Sequence, residues 1–400
     1  MGWWPFSGKK GAQIVTSRDL EDMLLQQIYQ TASGISVTPE SALSCPPVLA
    51  SLNVLAQSVA QLPLKTYRRV PGGKEEAREH ALFRLLTAEP NDYQSAYEFK
   101  QTMQFSVAQH GNAFARIVSV RGRPIELHPI PFASVTVQRN DDFSLEYQVR
   151  QSVGEVQKYQ ADEILHLRDV SRNGWLGMSR IELGKDTIAT AIAAERFAGA
   201  FFKNGAKAKG FFSLPPGKTL REENFKRLKQ ELNEAAKDPH STPLLEDGLE
   251  FKAVSQNAKE SQLLELQNFC VIQVARLFGL PPHVIQSLDD AKWANIEHQG
   301  RAFITYSLMP WLKMWEQAIN RSLLRPAERK EYFVEFNVDS FLRGDSESRA
   351  KFYKELWSMG VVSPNEIAAR ENLPQHDGGD NLYYPLNFGI VGEENEPQDA

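Results

Sequence analysis

The chain is poor in cysteine. Only Cys45 and Cys270 occur in 400 residues, far apart and in no Cys-x-x-Cys spacing. That excludes a disulfide scaffold and a structural zinc knot, and it fits buried thiols in a reduced, cytosolic compartment. Basic excess is also missing. Lys and Arg total 45 against 50 Asp and Glu, a net charge of −5. A protein that coats nucleic acid advertises itself with a positive balance, so any DNA contact here must be local or weak. No long apolar run exists; the stretch Ile188 to Phe202 carries Glu195 and Arg196 in its middle, and no membrane association is expected. Nothing at the N-terminus reads as a signal peptide, because Lys9 and Lys10 follow the short apolar Met1–Phe6 instead of preceding it. Gly2 lacks the Ser or Thr that myristoylation wants at position 6, where Phe stands.

Catalytic signatures are equally scarce. The eight histidines form no His-x-x-x-His pair and have no neighbouring cysteine ligand. No Gly-x-Ser-x-Gly elbow is present. Gly217-Lys218-Thr219 ends like a phosphate-binding loop, but the glycine needed five residues before Gly217 is Phe212. His376-Asp377-Gly378-Gly379-Asp380 reads as a glycine-rich turn with capping carboxylates, not a metal loop. Asp162 and Glu163, just before an apolar strand, read as surface charges. No enzyme class, metal or cofactor is supported.

What is present is an ordinary folded composition, 42% hydrophobic and 24% charged, over a length that exceeds one compact core. Val48, Leu52, Leu55 and Val59 recur at helical steps, and Pro63 stops the helix. A strand follows at 64–67, a turn at Pro71-Gly72-Gly73 and a helix at about 96–109. Short strands are expected at 113–120, 125–127, 135–138, 147–150 and 164–167. From Ile181 the character changes to a long helix reaching Lys203, with Ala189, Ala193 and Ala200 on one stripe that would let helices approach closely. A compact insert, with strands at 211–214, 243–246 and 249–254 and a helix at 220–236 capped by Thr219 and Glu222, separates it from a second long helix at 259–278. A polar loop precedes a third long helix reaching about Leu324, in which Pro310 predicts a kink. A strand at 332–338, helices at 346–359 and 364–371, and an acidic tail complete the chain.

Six phrases in this order resemble the portal, or head-to-tail connector, proteins of long-tailed phages over roughly residues 33 to 388. They are Ser33 to Leu43; His110-Gly111-Asn112-Ala113-Phe114; Ile164 to Arg168 with Gly174, Gly177, Ser179 and Arg180; Phe278-Gly279-Leu280-Pro281-Pro282; Pro310 within the long helix; and Asn365 to Arg370 with Gly378-Gly379-Asp380. The resemblance implies an α+β subunit: an α/β wing, two long stem helices flanking a small α/β clip, and a helical C-terminal crown. The implied boundaries are an N-terminal arm, 1–45; wing, 46–182; first stem helix, 183–204; clip, 205–256; second stem helix, 257–285; tunnel loop, 286–298; the wing's long kinked helix and strand, 299–343; crown, 344–392; and a disordered acidic tail, 393–400.

It further implies a ring of twelve copies at one capsid vertex, conducting double-stranded DNA during packaging and ejection. The partners would be the large terminase subunit, the major capsid protein and scaffold, and a head-tail adaptor. Localisation would be the virion, with the host cytoplasm during assembly. Candidate DNA-facing residues are Lys292, Trp293 and Asn295 in the tunnel loop, and Lys203, Lys207 and Lys209 near the clip. Lys207 and Lys209 also read as solvated turn charges, and Trp293 as a subunit anchor. The competing expectation is a ring-forming head-completion or adaptor protein that does not itself conduct DNA.

Overall fold

The computed structural model of the chain describes residues 31–151, 154–203, 210–213, 222–237, 250–253, 257–285, 300, 302–338, 346–371 and 373–383. Thr219 of the capping pair, the strand at 243–246, the loop at 286–298 and the acidic tail lie outside these residues.

The core is built on two helices. Helix α1 (Pro46–Ala60) opens with two prolines in its first turn, where the missing N–H groups cost nothing. Its predicted face, Val48, Leu52, Leu55 and Val59, is fully buried. A short helix, α2 (Ala81–Thr87), too brief to show a period, follows it in the chain. Helix α3 (Ala96–His110) starts in a capping box, in which Ser95 and Glu98 each accept the other's backbone N–H, and it stops at left-handed Gly111. The Ser95 hydrogen bonds hold the Glu98 carboxyl below its ordinary pKa. Helices α1 and α3 pack face to face.

Eleven strands are described. β1 (Leu64–Val70) lies between β2 (Gly73–Glu76) and β11 (Tyr332–Phe336), so the strand expected late in the sequence closes the first sheet. β3 (Asn112–Val120) lies between β4 (Arg123–Ile130) and β8 (Ile164–Arg168). β5 (Val135–Arg139), β6 (Leu145–Arg150) and β7 (Val156–Gln160) form an antiparallel meander. Strands β9 (Gly210–Ser213) and β10 (Glu250–Ala253) pair antiparallel around helix α6 (Glu222–Lys237), which forms the expected insert.

The long helix expected from Ile181 is broken into α4 (Arg180–Leu183) and α5 (Lys185–Lys203). At Gly184 the second long helix, α7 (Asn257–Phe278), comes so close that a Cβ would lie 2.3 Å from Leu277. Helices α5 and α7 pack along each other. Pro310 does not kink an α-helix in mid-course. Residues Phe303–Leu308 form a wide π turn, and α8 (Met309–Ser322) starts afresh with Pro310 in its first turn. The wider spacing absorbs the hydrogen bond that proline cannot donate. Helices α9 (Ser346–Ser358) and α10 (Pro364–Arg370) match expectation.

The centre of the main core is Trp315 on α8. Its ring lies edge-on to Phe99 and to Phe336, and its indole N–H donates to Gln104 at 2.7 Å. A second, smaller core gathers Phe114, Tyr147, Val149, Tyr159 and Ile164 between the sheet of β3 and the meander.

Candidate functional site

The phrases singled out in the sequence are spread from Ser33 to Asp380, yet four of them meet where the α5–α7 helix pair joins the body. The meeting begins with two glycines. Gly111 has φ +75°, and a Cβ there would lie 2.4 Å from the Met178 backbone; one on Gly177 would lie 2.0 Å from the Gly111 carbonyl. Two backbones that touch this closely admit no side chain on either.

Asn112 locks that contact. Its Oδ1 accepts from Gly177 N at 2.8 Å, and its Nδ2 donates to Gly177 O at 2.8 Å and to His110 O at 3.2 Å. His166 Nε2 lies 3.1 Å from the same Oδ1, so that nitrogen carries the proton. Its Nδ1 then accepts the Tyr147 hydroxyl at 3.1 Å. Burial, helped by the nearby Arg168, pushes the His166 pKa down to about 3, so the ring is a neutral connector. One turn on, the Ser179 hydroxyl donates to Gln109 O at 2.7 Å, and Gln109 Nε2 donates to Pro39 O at 3.0 Å. The opening phrase is thereby drawn in as well. Thr38 and Ser41 exchange reciprocal caps within it, and Ala32 N donates to Asp186 on α5 at 3.1 Å.

Arg180 ties the helix pair itself. Its Nε lies 2.6 Å from Asp169 Oδ2 and its Nη2 3.0 Å from Oδ1, a two-pronged pair with a carboxylate that is nearly buried. Its Nη1 donates at 3.1 Å to the carbonyl of Phe278, the last residue of α7, and its guanidinium stands 4.8 Å from the Trp311 ring centre. A cation at a helix C-terminus satisfies orphan carbonyls and the dipole together. Left-handed Gly279 ends α7, and its carbonyl accepts the Ser307 hydroxyl of the π turn at 2.5 Å. One residue therefore links the end of β8, the start of α4, the end of α7 and the start of α8. The last phrase forms a separate knot, in which Asn365 Nδ2 donates to His376 O and Asp380 Oδ1 at 2.9 Å each and its Oδ1 accepts His376 N at 2.8 Å.

The predicted DNA-facing residues do not enter this joint. Lys292, Trp293, Asn295, Lys207 and Lys209 lie outside the described residues, and Lys203 is the final residue of α5. Of the alanine stripe, Ala189 is buried, Ala193 half-buried and Ala200 exposed in the single subunit. Sequence reasoning missed the roles of Asp169, Trp311 and Ser307. The spacing of Asp169 and Arg180 carries no motif, so only their convergence reveals the pair. The joint holds a neutral histidine, an ion pair and caps, but no nucleophile beside a base. Among the described residues there is no cluster of metal-ligating side chains, and no helix is long and apolar enough to cross a membrane.

Comparison with known proteins agrees over most of the chain. A family model described as phage portal protein matches residues 46–372. The chain is 32% identical over 388 residues to a probable portal protein of Streptomyces phage phiC31, covering 92% of this chain and 83% of that one. It is 29% identical to the portal protein of Enterobacteria phage HK97, covering 95% and 91%. Among solved structures, a chain in the neck of an empty gene transfer agent particle superposes with a TM-score of 0.63 at 20% identity, covering 88% of this chain and all of that one. An HK97-family portal protein from Corynebacterium diphtheriae gives 0.57 at 18% identity, covering 76% and 96%.

Proposed function

This chain belongs to the phage portal protein family, and from that premise we propose that twelve copies close into a ring at one capsid vertex, through which double-stranded DNA enters and leaves. The observation that carries the reading is the joint at Gly111, Asn112 and Arg180: the family match spans it, and it fixes a helix pair to an α/β body through caps, backbone contact and one part-buried ion pair. That is a mechanical attachment, suited to a structural subunit, and we assign it no catalytic chemistry.

In this reading residues 46–182 and 299–343 are the wing, α5 and α7 the stem, 205–256 the clip and 344–392 the crown. Residues 286–298 are the tunnel loop, where Lys292, Trp293 and Asn295 contact passing DNA, and Lys203, Lys207 and Lys209 face it near the clip. Ala189, Ala193 and Ala200 allow the stem helices to crowd together. The clip meets the large terminase subunit and later the head-tail adaptor, and the ring is set into a shell of major capsid protein guided by scaffold. A net charge of −5 serves such a channel, because each phosphate neutralised adds affinity and salt dependence, and a strongly basic lumen would hold its cargo.

Negative-stain electron microscopy with mass photometry tests the assembly. Rings with a hole wide enough for duplex DNA are expected, from the purified chain or on co-expression with capsid and scaffold proteins. A compact monomer or dimer under both conditions overturns the proposal. Substituting Lys292→Ala with Trp293→Ala tests the loop: rings should assemble normally and package DNA poorly, and unchanged packaging removes those residues from the channel.

A further inference from the structure

Beside the joint, sharing its Tyr147 and His166, and between the meander and the C-terminal turn of α8, lies a cavity of about 310 Å³ whose wall has an unusual charge. In a chain of net negative charge, its lining includes Arg139 from β5, Arg168 from β8 and Arg321 from α8, and no carboxylate. Among the described residues none of the three guanidiniums pairs with an acid. Arg168 is steadied by donating to Gly174 O at 3.0 Å. The fields of Arg168 and Arg321 both reach the Tyr147 phenol in the same wall, where they oppose the upward push of burial on its pKa. The neighbouring imidazole, His166, is neutral and adds no charge of its own.

The rim carries a second, independent oddity. Residues Asn140 to Ser144 turn β5 into β6: Phe143 N donates to Asn140 O at 3.0 Å, and Asn140 N to Ser144 O at 2.9 Å. The residue that completes such a turn has left-handed backbone and is ordinarily Gly or Asn. Here it is a phenylalanine with φ +68°, and 73% of its surface is exposed. A bulky side chain at that position is strained, and exposing an aromatic ring gains nothing for folding. Its ring stands 4.7 Å from the Arg139 guanidinium, and it lines the cavity together with Trp175.

We propose that this cavity binds the phosphate of a nucleotide, with the Phe143 ring offering its free face to the base. Three arginines lining one cavity from three elements match a tetrahedral group with several peripheral oxygens better than a planar carboxylate. Asn173 adds a donor: its Oδ1 is occupied by the N–H groups of Trp175 and Leu176 at 3.0 and 2.9 Å, which leaves its amide nitrogen for a ligand. A concave site of this size sits at the small end of ligand pockets, and the convex wall of a duplex cannot enter it. An aromatic face stacks on any base, so recognition is indifferent to base identity. The shared chemistry is a terminal phosphate bearing a nucleoside, supplied by a free nucleotide or by the 5′ end of a DNA strand.

Isothermal titration of the full-length chain with dAMP, inorganic phosphate, a hexaglutamate peptide and a 5′-phosphorylated oligodeoxynucleotide tests the site. Saturable dAMP binding is expected, tighter than inorganic phosphate and weakened about tenfold or more by Arg321→Gln, an exposed position whose loss spares the fold. Phe143→Gly should raise the melting temperature by relieving the strained turn, weaken dAMP, and leave inorganic phosphate unchanged. Tighter binding of the oligonucleotide than of dAMP identifies a strand end as the natural source, and the reverse identifies the free nucleotide. No saturable dAMP binding, binding that survives Arg321→Gln, or hexaglutamate binding as tight as dAMP overturns the proposal.

Discussion

Two buried titratable side chains make the stability of this protein rise with pH, in two separate ranges. Lys100 on α3 is 6% exposed, and its ammonium donates to the Leu62 carbonyl. Burial pushes its pKa from 10.5 down to about 8. Below pH 8 folded and unfolded chains both carry the proton, and the cost of burying the charge is felt in full. Between about 8 and 10.5 the unfolded chain alone holds it, so this group makes stability rise with pH. The shift corresponds to on the order of 3 kcal/mol. Lys100→Met is therefore expected to stabilise the fold at pH 7 by about 2 kcal/mol, after loss of one hydrogen bond. In denaturant titrations the advantage should shrink between pH 8 and 9; a constant gap would mean that the buried lysine keeps its proton throughout that range and that burial does not lower its pKa. His166 acts at the other end. Its pKa of about 3 means that only the unfolded chain takes up the proton as pH falls from 6.5, so stability is lost at up to about 1.4 kcal/mol per pH unit. His166→Gln keeps a donor for Asn112 and an acceptor for Tyr147, and should move the midpoint of acid unfolding to lower pH. Neither behaviour was legible in the sequence, because a lysine or histidine code says nothing about burial.

At the scale of elements, the regular helices were readable and the joints were not. The apolar stripe of α1 and the stop at Pro63 follow from periodicity and backbone chemistry alone. Helix α2 has only seven residues, and β7 is exposed at every position except Tyr159, so neither presents a period to read. The break at Gly184 depends on Leu277, and the π turn before Pro310 on what surrounds it. Arg180 is where elements become one body. Arg180→Lys retains the charge but loses the fork and the reach to Phe278 O, and should cost about 2–3 kcal/mol in chemical denaturation. Hydrogen exchange should then rise in α5 and α7 before it rises in α1 and α3. Uniform loss of protection would show that the ion pair supports the whole core instead of the attachment of the helix pair.

For the assembled protein, charge sets the expectation. With more acids than bases per chain, a ring should release duplex DNA readily. In filter-binding assays on assembled rings, retention of duplex DNA should be weak at 150 mM salt and should depend shallowly on salt, as expected when few phosphates are neutralised. Tight retention with a steep salt slope would mean a basic lumen that the overall balance conceals. The order of segments, the α+β class and family membership were all accessible from sequence, because they rest on local periodicity and short phrases that survive in linear order.

Residue order alone therefore gives the set of parts: helices with one apolar face, strands between turns, and glycines and caps at marked positions. Why those positions are marked becomes visible only when distant segments meet in the fold. Gly111 and Gly177 matter because two backbones touch, Asn112 because it clamps that contact, and Arg180 because Asp169, Phe278 and Trp311 arrive around it. The same holds for the three arginines beside Phe143, which come from β5, β8 and α8. Hydrogen bonds and ion pairs between distant segments depend on where chains cross in space, and that information is not local to any stretch of residues.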